Sequence, residues 1–167
     1  MQATFRNAMA QLAAAVNVIT TSGPHGRAGL TASAVCSVTD TPPTLLVCIN
    51  RSSALHPVFL GNGRLCVNVL PGHREELARQ FAGMTGLNME ERLAPDYWHE
   101  GAGGMPVLAD ALASLEGKIA LVQEMGSHSV MFVELEHIRL STEQEGLAYF
   151  DRRFHRLPGR EVESVAA

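Results

Sequence analysis

The chain has 167 residues, 46% of them hydrophobic and 18% charged, with a formal net charge of −4. That is enough apolar material to build the core of one globular domain, and it excludes an intrinsically disordered chain. The acidic balance argues against a general nucleic-acid binder, whose affinity rests on Lys and Arg at phosphates, and no apolar run approaches the roughly 20 residues that cross a bilayer.

Phe5, Met9, Leu12, Ala13 and Val16 recur at helical spacing, with Arg6, Asn7 and Gln11 opposite, which predicts a one-faced N-terminal helix capped by Thr4. The pattern then changes to strands: Asn17–Thr21, a Gly23-Pro24-His25-Gly26 turn, and Arg27–Thr39 as the second arm of a hairpin. Asp40-Thr41-Pro42-Pro43 is a break, since two prolines cannot serve a central strand. Thr44–Asn50 follows as a continuous apolar run, the mark of a strand buried on both faces. Ser52-Ser53 opens a short helix through Leu60, closed by Gly61-Asn62-Gly63. Arg64–Leu70 reads as a strand, and Arg74–Ala82 as a helix with Leu77, Ala78 and Phe81 on one face. Residues 83–104 form a long loop containing a short helix. The strands Ala111–Glu124 and His128–Leu140 flank a Met125-Gly126-Ser127 turn, and Leu147–Phe150 leads into Arg152-Arg153-Phe154-His155. Six or seven strands, with helices only at the start and in connections, predict an α+β fold that is mainly antiparallel and closes as a barrel. The expected domain spans 1–157, and 158–167 form a flexible C-terminal tail.

The three cysteines, Cys36, Cys48 and Cys66, lie in apolar runs at wide spacing. They form neither a disulfide framework nor a zinc pattern and read as small buried hydrophobes in a reducing compartment. The chain does not open with a basic segment followed by a continuous apolar one, so a cytoplasmic location is expected. His25, His56, His73, His99 and His137 have no metal-ligand spacing, and no metal is expected. The sequence has no GxGxxG after a strand, no GxxxxGK[ST], no HExxH and no GxSxG, so any redox or group-transfer chemistry belongs to a bound cofactor.

Thr31-Ala32-Ser33-Ala34 sets small and hydroxylic side chains in mid-strand, where large apolar ones are expected. The run serves either close backbone packing or a shelf on which a planar ligand lies with its polar edge toward N–H and hydroxyl donors. Asn50-Arg51-Ser52-Ser53 then joins hydroxyls and a guanidinium at a helix start, which reads either as an ordinary N-cap or as a phosphate site. A shelf and an anion site one strand apart suit a flat polar ring carrying a phosphate.

The run from Ala28 to Asn50 resembles the flavin reductase family of split-barrel fold. The resemblance extends through Ala14–Thr21, Gly61-Asn62-Gly63 with Leu65–Leu70, Phe81–Gly86, Leu112–Gly117, and Tyr149-Phe150 before Arg152–His155. It implies a Greek-key split β-barrel with an N-terminal helix and short connecting helices, assembled as a homodimer. The implied activity is NAD(P)H:flavin oxidoreduction, with NADH favoured as hydride donor and FMN or FAD as the flavin. Reduced flavin would diffuse to a separate flavin-dependent oxygenase, 4-hydroxyphenylacetate 3-monooxygenase, in the catabolism of aromatic compounds. Flavin contacts carry over to Thr31, Ala32, Ser33 and Ala34 at the ring and ribityl chain, and to Asn50, Ser52 and Ser53 near the phosphate. Phe81, Ala82 and Gly83 match a loop beside the flavin, and Cys48 joins the flavin-binding set. His128, after Gly126-Ser127, is read as catalytic, orienting the nicotinamide or hydrogen-bonding the flavin; its alternative is a structural histidine before a strand. Arg152 and Arg153 either bind a pyrophosphate of NAD(P)H or FAD or form a solvated face. Two alternatives remain for the whole chain: a protein of the same fold that keeps its flavin and serves another electron acceptor, and a non-catalytic flavin- or haem-binding protein.

Overall fold

The computed structural model describes residues 1–142 and 145–159. In chain order the elements are α1 (Gln2–Met9), β1 (Ala14–Ala15), β2 (Asn17–Thr21), β3 (Ala28–Ala32), β4 (Val35–Asp40), β5 (Pro43–Asn50), α2 (His56–Asn62) and β6 (Arg64–Val69). A 3₁₀ turn (Gly72–Arg74) then leads to α3 (Glu75–Phe81), α4 (Met89–Leu93), β7 (Trp98–Glu100), β8 (Pro106–Leu108), β9 (Ala113–Met125), β10 (His128–Leu140), β11 (Gly146–Phe150) and β12 (Arg153–Leu157).

Seven strands form one antiparallel sheet in the order β3-β2-β6-β9-β10-β5-β4. Its two edge strands, β3 and β4, are consecutive in the chain and are joined only by Ser33-Ala34. Three Cα steps reach at most roughly 11 Å, so the sheet must curl until its edges nearly meet. This is the split of a split barrel. The chain passes from β5 to β6 through α2, over the β9–β10 hairpin that separates them in the sheet, in the Greek-key manner. β1, β11 and β12 form a second, three-stranded sheet, and β7 pairs with β8.

β2 is buried at every position because it has a core on each face. Ile19 turns into the barrel with Leu45, Val47, Ile49, Phe59, Leu65, Val67, Met131 and Val133. Val18 turns outward to a second core with Leu77, Ala78 and Phe81 of α3 and with Leu93, Trp98 and Leu108 of the following segment. The buried Asn68 ties the two sides: its Nδ2 donates to the Val18 carbonyl and the Thr20 hydroxyl at 3.2 Å each, and its Oδ1 accepts from the Leu108 N–H at 2.9 Å.

Several expectations change. The predicted strand Arg27–Thr39 is two strands, because the chain jumps between sheet edges at Ser33-Ala34. β5 alternates, with Leu45, Val47 and Ile49 buried and Leu46 and Cys48 half-buried, since only one of its faces meets the barrel core. α1 ends at Met9 rather than Val16, Thr4 lies inside it, and none of its residues is buried. Phe5 is 62% and Leu12 61% exposed, so the apolar stripe faces outward. α2 begins at His56, not at Ser52-Ser53, since Ser53 instead forms a turn in which its hydroxyl accepts from the Leu55 N–H at 3.3 Å. β12 was not anticipated: its hairpin turn, Asp151-Arg152, holds two non-glycine residues at positive φ (46° and 60°), so the usual glycine signal is missing. Of the cysteines only Cys66 is buried; burial pushes its thiol up, while Cys36 is exposed on the edge strand β4 and Cys48 is half-buried. The tail expected over 158–167 lies, from residue 160 onward, outside the described residues. Among the described residues no helix is long and apolar enough to cross a membrane.

α3 is fastened at its start by Asp110. The Asp110 Oδ2 accepts from Arg74 Nε at 2.8 Å and pairs with His73 Nε2 at 2.7 Å, and Arg74 lies over the Tyr97 ring at 4.4 Å. Burial alone would raise the Asp110 carboxyl, but the Arg74 and His73 hydrogen bonds and the Arg74 charge outweigh it and hold it below its ordinary value. A depressed native pKa means stability that is complete above the unfolded value of 3.8 and is lost as pH falls through the native one. Asp110→Asn is therefore expected to cost about 1 kcal/mol near pH 7, which is roughly 2–4 °C in thermal midpoint. The gap from wild type should narrow below pH 3.8; thermal melts over a pH series check this, and a gap independent of pH contradicts it.

Candidate functional site

The split places a groove where β3, β5, β10 and the end of α3 converge. It has a volume of about 500 Å³, and its lining includes Thr31, Ala32, Ser33, Ala34, Cys48, Asn50, Ser53, Phe81, Ala82, Gly83 and His128. These come from four separate stretches of chain, and all were singled out from the sequence. Leu30, Ile49, Leu55 and Arg92 also line it and were not. Ser52, Arg152 and Arg153 do not.

The shelf is built from β3 and the jump that follows it. Asn17 Nδ2 donates to the Ala32 carbonyl at 3.1 Å and fixes the end of β3. At the jump, the Ser33 carbonyl accepts from Val35 N–H at 2.9 Å and the Ala34 carbonyl from Cys48 N–H at 3.1 Å. The N–H groups of Ser33 and Ala34 donate to no described residue, and the Ser33 hydroxyl has no described partner, so this corner retains donors for a ligand edge. The Thr31 hydroxyl donates to the Ala78 carbonyl at 2.6 Å and so fastens α3 to β3.

Gly29 makes that close approach possible. A Cβ there would stand 2.5 Å from the Phe81 ring, which packs edge-on against Trp98 with centroids 5.5 Å apart. Phe81 thus packs closely on β3, and Ala82-Gly83 emerge beside the shelf, with Gly83 at φ 75°.

The opposite wall is the end of the β5–β10 ladder, where His128 pairs with Asn50 in register. Arg51, expected in an anion site, instead clamps the β9–β10 turn: its N–H donates to the Ser127 carbonyl at 2.9 Å, its guanidinium to the Gly126 carbonyl at 3.2 Å, and it pairs with Glu124 at 3.2 Å. His128 Nδ1 meets the Ser127 hydroxyl at 2.9 Å, and its Nε2 has no described partner. Ser52 is turned inward on its own loop, its N–H and hydroxyl both donating to Asn50 Oδ1, at 3.0 and 2.9 Å. Ser52 thus stands in a turn ahead of α2 rather than at the helix start.

Arg152 and Arg153 line a neighbouring cavity of about 530 Å³, with Glu75, Arg79, Tyr149 and Phe154. Thr31, Ser33 and Ala82 line both spaces, so the two share a wall. Arg152 donates to Asn7 Oδ1 at 2.6 Å, and Arg79 pairs with Glu75 at 2.7 Å while lying over the Phe154 ring. Arg92 left no signal in the sequence because α4 is too short to show a periodicity. A lone arginine on so short a helix is marked only by what it packs against.

A family model described as a flavin reductase like domain matches residues 9–158. The chain is 62% identical over 156 residues to the 4-hydroxyphenylacetate 3-monooxygenase reductase component of Pseudomonas aeruginosa, covering 93% of this chain and 92% of that one. It is 53% identical to the FMN reductase (NADH) RutF of Pantoea ananatis, covering 92% and 80%. Among solved structures, BorF, the flavin reductase component of a bacterial two-component tryptophan halogenase, superposes with a TM-score of 0.89 at 27% identity, over 96% of this chain and all (100%) of that one.

Because Phe81 has no room to retreat, Gly29→Ala is expected to lower stability by about 1–3 kcal/mol, the usual cost of overpacking. Urea unfolding measures it, and an unchanged midpoint contradicts the close contact.

Proposed function

The chain belongs to the flavin reductase family, and from that premise we propose that it oxidises NADH, reduces a flavin held in the groove at the barrel split, and passes the reduced flavin to 4-hydroxyphenylacetate 3-monooxygenase. The observation that carries the reading is the groove itself, in which β3, β5, α3 and β10 bring one shelf, one corner of open donors and one histidine together. The preference for NADH is supported by the relative named as an NADH-dependent FMN reductase.

Hydride passes from the dihydronicotinamide to the oxidised flavin, and a proton from water completes the reduction. Neither transfer requires a protein acid or base at the donor carbon, so this chain's residues act by alignment and by stabilising charge. The flat ring suits Ala32 and Ala34, whose small side chains allow close approach to the backbone. The N–H groups of Ser33 and Ala34 are open donors for a ring edge that gains negative charge. His128, with Nδ1 held by Ser127, has Nε2 available to orient the nicotinamide or bond the flavin. We assign the nucleotide end of the donor to the adjoining cavity, where Arg153 and Arg152 would hold a diphosphate and which shares the wall of Thr31, Ser33 and Ala82 with the groove.

The assembly in this reading is a homodimer. It is supported by the apolar residues left uncovered on α1, just after it and on the β9–β10 hairpin, among them Phe5, Leu12, Leu121, Met125 and Leu140. Sedimentation at equilibrium should give twice the 18.0 kDa chain mass, and a monomer at every concentration contradicts this part.

NADH oxidation by the purified protein should depend on added FMN or FAD. The absence of a flavin-dependent rate with either nicotinamide contradicts the reading. His128→Ala should lower kcat about tenfold, equivalent to ~1.4 kcal/mol at the transition state, with flavin affinity changed less than about twofold. An unchanged rate makes His128 structural.

A further inference from the structure

A guanidinium is a favourable partner for a flavin phosphate, and the arginines nearest in sequence to the groove are committed elsewhere. Arg51 holds the β9–β10 turn and Glu124, and Arg152 and Arg153 line the adjoining cavity rather than the groove. Ser52, turned onto Asn50, offers no charge. Among the described residues lining the groove, one guanidinium remains, that of Arg92, and no carboxylate stands beside it in the lining.

Arg92 is held as a positioned group. It sits on α4, whose start is closed by a capping box: Asn88 Oδ1 accepts from Glu91 N–H at 3.0 Å, and Glu91 Oε2 accepts from Asn88 N–H at 2.7 Å. The Arg92 carbonyl accepts from Trp98 Nε1 at 3.1 Å, and Trp98 packs against Phe81, the residue before the groove wall Ala82-Gly83. Its Nε donates to the Leu87 carbonyl at 2.9 Å, which fixes the plane of the guanidinium. Both Nη nitrogens lack a described partner. A planar fork held by Nε, with its two Nη groups unspent, is the geometry that binds two phosphate oxygens at once.

We propose that Arg92 is the phosphate-binding residue of the groove and sets its preference for phosphorylated flavins over riboflavin. The proposal rests on the flavin reading given above and deepens it: the 83–104 segment becomes part of the site rather than a connection outside it.

The experiment measures dissociation constants for FMN and riboflavin by quenching of flavin fluorescence, on the full chain and on Arg92→Gln and Arg92→Lys. The quantity read is the ratio of the riboflavin constant to the FMN constant, which a general loosening of the groove does not move. Losing a charged hydrogen-bonding pair should lower that ratio about tenfold or more in Arg92→Gln. Arg92→Lys, which keeps the charge and loses the fork, should restore most of it. Raising the salt concentration should weaken FMN binding in wild type and have little effect in Arg92→Gln. A ratio in Arg92→Gln equal to that of wild type overturns the assignment, whatever happens to the absolute affinities. Wild-type protein that binds neither flavin overturns the underlying reading of the groove, and this assignment with it.

Discussion

Ser33 and Ala34 carry the chain from one edge of a seven-stranded sheet to the other, and two residues allow no more than roughly 11 Å between the ends they join. Everything that defines the groove follows from that short passage. It forces the sheet to curl, leaves the two edges unpaired with each other, and exposes backbone donors where most sheet residues would have spent theirs. It also explains why side chains there are small: the corner must sit close to Cys48 and Val35, to which its carbonyls are bonded. Of the two readings of this run, close packing describes the corner itself, and its open N–H groups are what the proposed ligand shelf would use.

The groove owes its other walls to packing at a distance. Phe81 is wedged against β3 through Gly29 and braced by Trp98, so the end of α3 is placed by a contact spanning the 83–104 segment. Thr31 and Ala78 add a hydrogen bond to the same junction. On the facing side Arg51 holds the turn from which His128 rises. Thr31, which lines the groove, and Arg51, which does not, both also fasten its walls together.

Much of this was legible in the sequence. β2, the β9–β10 hairpin and the one-faced α3 were evident because periodicity reports local geometry directly, and residues 31–34 and 50–53 stood out because small and polar side chains stand where apolar ones are expected, whereas Cys48, Phe81, Ala82, Gly83 and His128 came from the family resemblance alone. What stayed hidden is nonlocal. Periodicity across 27–39 continues through the jump at Ser33-Ala34, since a change of sheet edge leaves the alternation intact. The stripe on α1 reports an apolar face without saying what covers it. Cys36 is apolar in context yet exposed, because β4 is an edge strand. The turn into β12 uses Asp151 and Arg152 at positive φ where a glycine would have announced it. Arg92 stands in a stretch with no period at all, and only its contacts with Leu87, Trp98 and the groove distinguish it.

In the proposed function the corner at the barrel split receives the flavin ring. A crystal structure of the protein with FMN decides this. The ring should lie against residues 31–34 with the phosphate toward Arg92. A flavin bound in the cavity of Tyr149 and Arg153 with the groove left open would contradict it.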